Sequence, residues 1–248
     1  MLYKLLACKI MTREVSNLLW RCPNSIDLTL MTQKLHDRPE RLREALQQEI
    51  DMIDANADMH TNDLEKHDID AILLGYGLCS NAVVGLHSKR YPLVIPRIHD
   101  CLSLLFGKRE RFSEYAAKYP GTFYYTQSWC DMAPFSTPEE REAKRAAYME
   151  EYDDDEETVE YLMSVEDEMF RNYDRVAYIS WPELLREDEI DGARKLAADK
   201  NWAYDQVAGE NSLLEDFLWG RWDEQHFLVI PPGKTIAASY DDNVLEYE

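Results

Sequence analysis

Three cysteines and one histidine occur at places where a metal site could form. Each cysteine closely follows an apolar, strand-like segment, and the histidine lies two residues before the third: they are Cys8, Cys79, Cys101 and His99. Because the carboxyl ends of parallel strands meet at one edge of a sheet, we expect these side chains to converge. Three thiolates and an imidazole suit zinc, and three thiolates also suit an iron–sulfur cluster with one open iron.

The alternative is that these thiols are ordinary core residues, as free cysteines often are. The loop before Cys101 favours a functional site. Cys101 stands at the predicted start of a helix, where the helix dipole would lower the thiol pKa. The same loop carries Arg97, His99 and Asp100, and so many charged and polar side chains are more typical of a functional loop than of a purely structural turn. We therefore predict that Arg97 holds an anionic substrate group and that Asp100 takes part in binding a cofactor.

The segment from Gly75 to Ser80 begins like a dinucleotide-binding fingerprint. Gly75 and Gly77 have the right spacing, but Ser80 stands where the third glycine belongs. No acidic residue ends a following strand at the distance expected for ribose binding. We therefore predict that Gly75 and Gly77 let the backbone approach a metal or another ligand closely.

The other two cysteines lack such a setting. Cys22 lies in WRCPNS and Cys130 in QSWCDM, both of which are predicted to be loops. Five cysteines at long spacings, without an export signal, predict free thiols and no disulfides. Cys22 and Cys130 are expected to lie outside the site.

Composition excludes several classes of function. The 248 residues include 27 Lys and Arg against 48 Asp and Glu, a formal net charge of −21, and 45% are apolar. This balance disfavours binding to nucleic acid and to anionic membrane surfaces, and no apolar run is long enough to span a membrane. The segment MLYKLLACKIMTREV is predicted to contain a first strand and not a signal peptide. The sequence thus predicts a soluble, acidic, cytoplasmic protein.

Short apolar segments alternate with amphipathic ones along the chain. Strands are predicted at 2–8, 26–30, 70–75, 92–96, 122–126, 175–180, 203–208 and 227–230. Helices are predicted at 39–57 with Asp37 as the cap, and at 101–106, 108–118, 188–200 and 212–220. The alternation predicts a single α/β domain over 1–248, with a doubly wound, mostly parallel sheet and flanking helices. An acidic helical insertion is predicted over 137–172.

Five blocks of sequence carry a resemblance to a known family. They are Leu6-Ala7-Cys8, Leu74 to Asn81, Ile95 to Cys101, Pro120 to Thr126 with Trp129, and Phe227 to Gly233. In these blocks the chain resembles DUF1638, an uncharacterised family of bacterial and archaeal proteins. The resemblance implies that the three cysteines and His99 are shared polar residues. It also implies a link to one-carbon metabolism, near corrinoid-dependent methyltransferases that act on methylamines or betaines.

Three hypotheses of function follow. The first is a zinc protein that handles a thiol or methyl group, with Cys8, Cys79 and Cys101 as ligands and His99 as a fourth ligand or an orienting group. The second is a [4Fe–4S] protein with an open iron. The third is a non-enzymatic accessory or regulatory protein of a methyltransferase system. The expected partner is a small-molecule substrate or a corrinoid methyltransferase system.

Overall fold

A computed structural model describes residues 1–32, 38–55, 68–132, 138–153 and 155–248. The chain forms two compact units: Met1–Glu114 with Gly209–Glu248, and Tyr115–Ala208. The single domain predicted over 1–248 stays a prediction. Among the described helices, none is long and apolar enough to cross a membrane.

The first unit contains a five-stranded sheet with the order β2-β1-β3-β4-β8. Its strands are β1 (Leu2–Cys8), β2 (Ser25–Met31), β3 (Ala71–Gly75), β4 (Leu93–Pro96) and β8 (Phe227–Ile230). β1 pairs in parallel with β2 and β3, and β3 with β4, whereas β8 runs antiparallel to β4. The mostly parallel α/β fold predicted from the alternation is confirmed. A small antiparallel pair, β9 (Ile236–Ala238) and β10 (Leu245–Tyr247), completes the strands of this unit.

Continuous apolar sequence explains why the central strands are covered on both faces. All five residues of β3 are buried, and six of the seven residues of β1 are buried. Helix α2 (Pro39–Asp54) buries Leu42, Leu46, Ile50 and Ile53, which recur at steps of three and four. The predicted cap Asp37 and the predicted end of this helix at residue 57 lie outside the described residues.

Four further helices belong wholly or partly to the first unit. They are α1 (Thr12–Leu19), α3 (Leu102–Phe106), α4 (Arg109–Lys118) and α9 (Ser212–Trp219). Helices α3 and α9 end at Gly107 and Gly220, with φ of 81° and 77° respectively, a conformation that glycine adopts without steric cost.

The second unit contains its own three-stranded parallel sheet, in the order β5-β6-β7. Its elements are β5 (Thr122–Thr126), α5 (Gln127–Met132), α6 (Pro138–Glu151), α7 (Glu156–Met169), β6 (Arg175–Ser180), α8 (Glu187–Lys200) and β7 (Ala203–Ala208). Apolar residues of α8 pack with β5 and β6 in the core of this unit. The acidic stretch predicted to be helical contains α6 and α7. Cys130 lies in α5, so its prediction as a loop residue is wrong.

Candidate thiol site

The structure brings three cysteines together at the carboxyl edge of the first unit's sheet. Cys8 is the last residue of β1, Cys79 lies in the loop after β3, and Cys101 directly precedes α3. Their exposed fractions are 7%, 8% and 7%. The thiols of Cys79 and Cys101 influence each other's pKa most strongly, and Cys8 interacts electrostatically with both. We call these three residues the thiol cluster.

Cys79 is the thiol that the structure favours as a thiolate. Its pKa is lowered, first by a hydrogen bond from the Cys101 thiol and then by the backbone N–H groups of Gly77 and Cys101. Burial and the nearby carboxylate of Asp100 act in the opposite direction but do not prevail. A sulfur surrounded by donors is stabilised in its charged form. The arrangement therefore makes Cys79 the natural anion of the cluster.

The prediction that Cys101 has a lowered pKa is wrong. Its pKa lies well above the ordinary value, because its thiol donates to Cys79, it is buried, and Asp100 and Cys79 place negative charge nearby. Helix α3 has only five residues, so its dipole is too small to reverse these effects. The pKa of Cys8 is also raised, chiefly by burial. Both shifts favour the neutral thiol over the thiolate.

Backbone contacts between two loops fix Cys79 next to Cys101. The N–H of Leu78 donates to Ile98 O at 2.8 Å, and the N–H of Cys79 donates to His99 O at 3.1 Å. A Cβ atom at Gly77 would lie 2.8 Å from Ile98 O and 2.9 Å from the carbonyl of His99. Only glycine permits this approach, so Gly77 brings the two loops of the site together.

Gly75 has a similar role between strands. It pairs with Ala7 in the β1–β3 register, and a Cβ atom at Gly75 would lie 2.9 Å from the Ala7 Cβ. The strand ends that carry Cys8 and Cys79 can therefore lie close together. Gly75 and Gly77 were predicted to let the backbone approach a ligand; in the structure both permit close packing within the chain, and their role in binding stays a prediction.

The turn that follows Cys79 is conformationally strained. Cys79, Ser80 and Asn81 have φ of 45°, 55° and 65°, a left-handed conformation at three successive residues other than glycine. Each such residue costs about 1–2 kcal/mol. Arg43 of α2 helps to hold the turn, since its Nη2 donates to Asn81 O at 2.8 Å. Strain of this kind often accompanies a functional site, and here it lies at the most acidic thiol.

Tyr76 is a site residue that the sequence reasoning missed. It is 2% exposed, and its hydroxyl is buried without a hydrogen-bond partner among the residues that the structure describes. Its pKa is raised well above the ordinary value, first by burial and then by Cys8, Cys79 and Cys101 in turn. Tyr76 also belongs to the same hydrophobic core cluster as Cys8 and Cys79. Its position between Gly75 and Gly77 is the sequence signal that could have identified it.

The polar residues of the 97–100 loop have structural contacts. Arg97 donates from Nε to Glu224 O at 3.0 Å and to Phe227 O at 3.3 Å, and from Nη1 to the carbonyls of Asn243 and Leu245. Its guanidinium thus fastens the C-terminal segment to the sheet. Whether it also holds an anionic substrate stays a prediction.

His99 and Asp100 contribute to the site mainly through structure. The side chain of His99 is exposed, and its carbonyl accepts the hydrogen bond from Cys79 described above. Asp100 accepts a hydrogen bond from the N–H of Leu102 through Oδ1 at 2.8 Å, at the start of α3. Its predicted part in cofactor binding, like the ligand role of His99, stays a prediction.

Two observations bear on metal binding by the thiol cluster. Within the described ranges, no group of three or more His, Cys, Asp or Glu side chains is arranged to hold a metal ion. Cys8 and Cys79 also pack in the hydrophobic core. The chemistry of the donor set nevertheless fits a thiophilic metal, since all three cysteines lie at the same edge of the sheet. A three-thiolate site would require Cys8 to approach the other two sulfurs.

Comparison with known proteins gives a family and no function. Searches of curated proteins and of solved structures give no match. The family model described as "Protein of unknown function (DUF1638)" matches residues 30–218, more than half of the chain. The matched region includes Cys79, Cys101 and Tyr76, whereas Cys8 precedes it. This match confirms the family resemblance, with three of the five sequence blocks inside the matched residues, and the chain belongs to the DUF1638 family.

Proposed function

We propose that the thiol cluster binds one zinc ion through Cys8, Cys79 and Cys101 and leaves a fourth position open. The observation that carries this proposal is that three buried cysteines lie at one edge of the sheet, with the N–H of Cys79 held to His99 O, two residues before Cys101, at 3.1 Å. Thiolates on one zinc lie roughly 4 Å apart for Zn–S bonds of ~2.3 Å, so the three sulfurs must be able to approach to that distance. The metal would replace the thiol protons of the cluster, because thiolates are its ligands.

Close packing around the thiols favours a single metal ion over an iron–sulfur cluster, since Cys8 and Cys79 lie in the hydrophobic core of the first unit. In a [4Fe–4S] cluster, each cysteine binds a different iron, so the cysteine sulfurs are separated by the body of the cluster. The packed side chains around Cys8 and Cys79 would have to move to accommodate it. Zinc is therefore the first proposal, and a [4Fe–4S] cluster with an open iron is the alternative.

The proposed chemistry is activation of a small thiol or transfer of a methyl group. Zinc held by thiolates keeps a bound thiol ionised near neutral pH, which makes that thiol a better acceptor for a methyl group. The link to a corrinoid methyltransferase system is part of the proposal and is supported only by the resemblance to the family. On this proposal, the three cysteines hold the ion while Gly77 and the strained turn keep Cys79 in place.

A second function is favoured by the unequal acidity of the two thiols in contact. Cys79 and Cys101 could act as a redox dithiol toward a small-molecule disulfide. The Cys79 thiolate would attack the disulfide and release one thiol, and Cys101 would then displace the second. The protein pair would be oxidised to a disulfide and the substrate reduced to two thiols.

Metal analysis of the full chain, purified without oxygen, tests these proposals. We expect about one zinc per chain and no visible absorption. A brown protein containing iron and sulfide would support the cluster instead. A metal-free protein in which glutathione disulfide oxidises Cys79 and Cys101 to a protein disulfide would support the redox-dithiol function.

Two serine variants make the zinc test specific. Cys101→Ser should lose most of its metal, because it lacks one of three ligands. Cys130→Ser is the matched control and should keep the metal content of the parent, since Cys130 lies in α5 of the second unit. Equal metal content in both variants and the parent would contradict a site at the thiol cluster.

A further inference from the structure

Helix α7 of the second unit has apolar side chains on two different faces. On its inner face Val159 and Met163 are buried, with exposed fractions of 0% and 3%. On its outer face Tyr161 and Val165 are 67% and 44% exposed. Because an α-helix has about 3.6 residues per turn, Tyr161 and Val165 lie one above the other on a face distant from the buried pair. They are therefore not part of the apolar stripe that α7 buries.

The stability of the helix does not explain why these two residues are apolar. Tyrosine and valine have lower helix propensity than the alanine, glutamate and lysine that suit an exposed helix face. A single exposed apolar side chain is ordinary, whereas adjacent ones surrounded by polar residues are typical of an interaction surface. We call Tyr161 and Val165 the outer patch.

The helix that contains the outer patch is strongly acidic. Helix α7 has six acidic residues and no lysine or arginine. On the side that faces α6, Arg141 donates two hydrogen bonds of 2.7 and 2.6 Å to Asp167, and Arg145 donates to Glu160 at 3.0 Å. These ion pairs neutralise carboxylates at the contact between the two helices. They do not involve the carboxylates next to the outer patch.

Glu157 and Glu168 flank the outer patch along α7. Glu157 lies one turn before Tyr161, and Glu168 lies about one turn after Val165, on the same face. Both are exposed, and Glu168 pairs with Arg171 at 2.8 Å between two exposed side chains. Such a surface pair contributes little stability, so the cation of a partner can compete for the carboxylate. The outer patch is thus an apolar surface with a negative charge at each end.

This combination indicates the chemistry of the partner. Nucleic acids and anionic lipids are disfavoured by the negative charge of the surface, and a second copy of the chain has the same net charge of −21. A basic amphipathic helix is complementary, because its apolar stripe can cover the patch while its lysines or arginines reach the two carboxylates. The charge therefore favours a basic protein segment over the other occupants.

We propose that the outer patch, together with Glu157 and Glu168, is a docking surface for a basic amphipathic helix of another protein. Tyr161 should contribute most to binding, because aromatic side chains are frequent among the residues that dominate interface energies. The surface lies entirely in the second unit. The proposal and its test are therefore independent of the proposed zinc site.

The test measures the binding of a labelled peptide to the full chain by fluorescence anisotropy. The peptide consists of leucine and lysine, with the leucines on one face of the helix that it forms. One comparison peptide has glutamate in place of every lysine, and another has glutamine in place of every leucine. The first reverses the charge, and the second keeps the positive charge but removes the apolar face.

Two variants test the apolar part of the surface. Tyr161→Ala/Val165→Ala removes the outer patch and should keep the helix, because alanine is the better helix former. Tyr240→Ala is the matched control, since Tyr240 is a fully exposed aromatic residue of the first unit. The half-saturating concentration should rise about tenfold in the double variant and stay within about twofold of the parent in the control.

Two further variants test the charge. Glu157→Gln/Glu168→Gln removes the flanking carboxylates, and Glu183→Gln/Glu187→Gln removes the same charge from another exposed part of the second unit. We expect the first pair to weaken binding about threefold and the second pair to have little effect, because exposed charges act mainly on close neighbours.

Four results would overturn the proposal. They are no binding of the leucine–lysine peptide by the parent, equal binding of this peptide by the parent and the Tyr161→Ala/Val165→Ala variant, equal binding of the peptide that lacks leucine, or binding of the glutamate peptide. Sedimentation of the parent alone covers the remaining occupant. A dimer that the Tyr161→Ala/Val165→Ala variant abolishes would assign the surface to a second copy of the chain and would also overturn the proposal.

Discussion

Replacing Gly77 with alanine should disrupt the site by a steric mechanism whose size the structure sets. The new Cβ would lie 2.8 Å from Ile98 O and 2.9 Å from the carbonyl carbon of His99, so backbone must move. Such overpacking costs about 1–3 kcal/mol, and weakening the two hydrogen bonds between the loops adds about 0.5–1.5 kcal/mol each. Alanine also reduces the conformational entropy of the unfolded chain, which offsets about 0.4–1 kcal/mol of the lost stability. We expect a net loss of about 3 kcal/mol.

Urea unfolding, followed by tryptophan fluorescence, measures this loss, with Gly233→Ala as the matched control. Gly233 has φ of 80°, and no atom lies within 4 Å of the position that a Cβ would take there, so its replacement costs only backbone strain, about 1 kcal/mol. Gly77→Ala should also bind less metal, because the loop contacts that place Cys79 beside Cys101 are weakened. A smaller stability loss in Gly77→Ala than in Gly233→Ala, with metal content unchanged, would refute this reasoning.

Three further substitutions test the surroundings of the site and the second unit, each by urea unfolding. Ser80→Gly should stabilise the protein by about 0.5–1 kcal/mol, since glycine adopts φ of 55° without strain; a destabilised variant would contradict this. Arg97→Ala should lower the free energy of unfolding by about 2–3 kcal/mol, because several carbonyls lose a charged hydrogen-bond donor. Arg97→Lys should recover little of this stability, because lysine cannot reproduce the planar guanidinium; full recovery would contradict the role given to these hydrogen bonds. Tyr178→Phe should cost about 2 kcal/mol, because the hydroxyl donates to buried Glu189 Oε2 at 2.5 Å, and no loss would contradict that contact.

The elements of the site could be predicted from the sequence because they depend on local patterns. The apolar segments that end near Cys8, Gly75 and Pro96 are strands, as their composition predicts. Parallel pairing then places the residues after them at one edge. The convergence of the cysteines follows from these two steps alone.

The arrangement of the strands could not be predicted in the same way. Apolar periodicity identifies a strand but not its neighbours, so it could not separate β5, β6 and β7 into a sheet of their own. It also could not show that β8 runs antiparallel to β4, because direction depends on the path of the connecting chain.

The electrostatics of the site depend on contacts that spacing does not contain. The position of Cys101 before a helix suggested a thiolate, but its thiol donates to Cys79, and this contact reverses the order of acidity. Arg97 looked available to an anion, yet carbonyls distant in sequence accept its hydrogen bonds. The two flanking glycines single out Tyr76 in the sequence, but the burial of its hydroxyl without a partner among the described residues is visible only in the structure.

The central claim is that the thiol cluster binds a single zinc ion, and X-ray absorption at the zinc edge tests it most directly. The measurement is made on the zinc-loaded full chain, without added thiol. The account predicts about three sulfur neighbours at ~2.3 Å and one oxygen or nitrogen neighbour. A zinc ion surrounded only by oxygen and nitrogen atoms would contradict it.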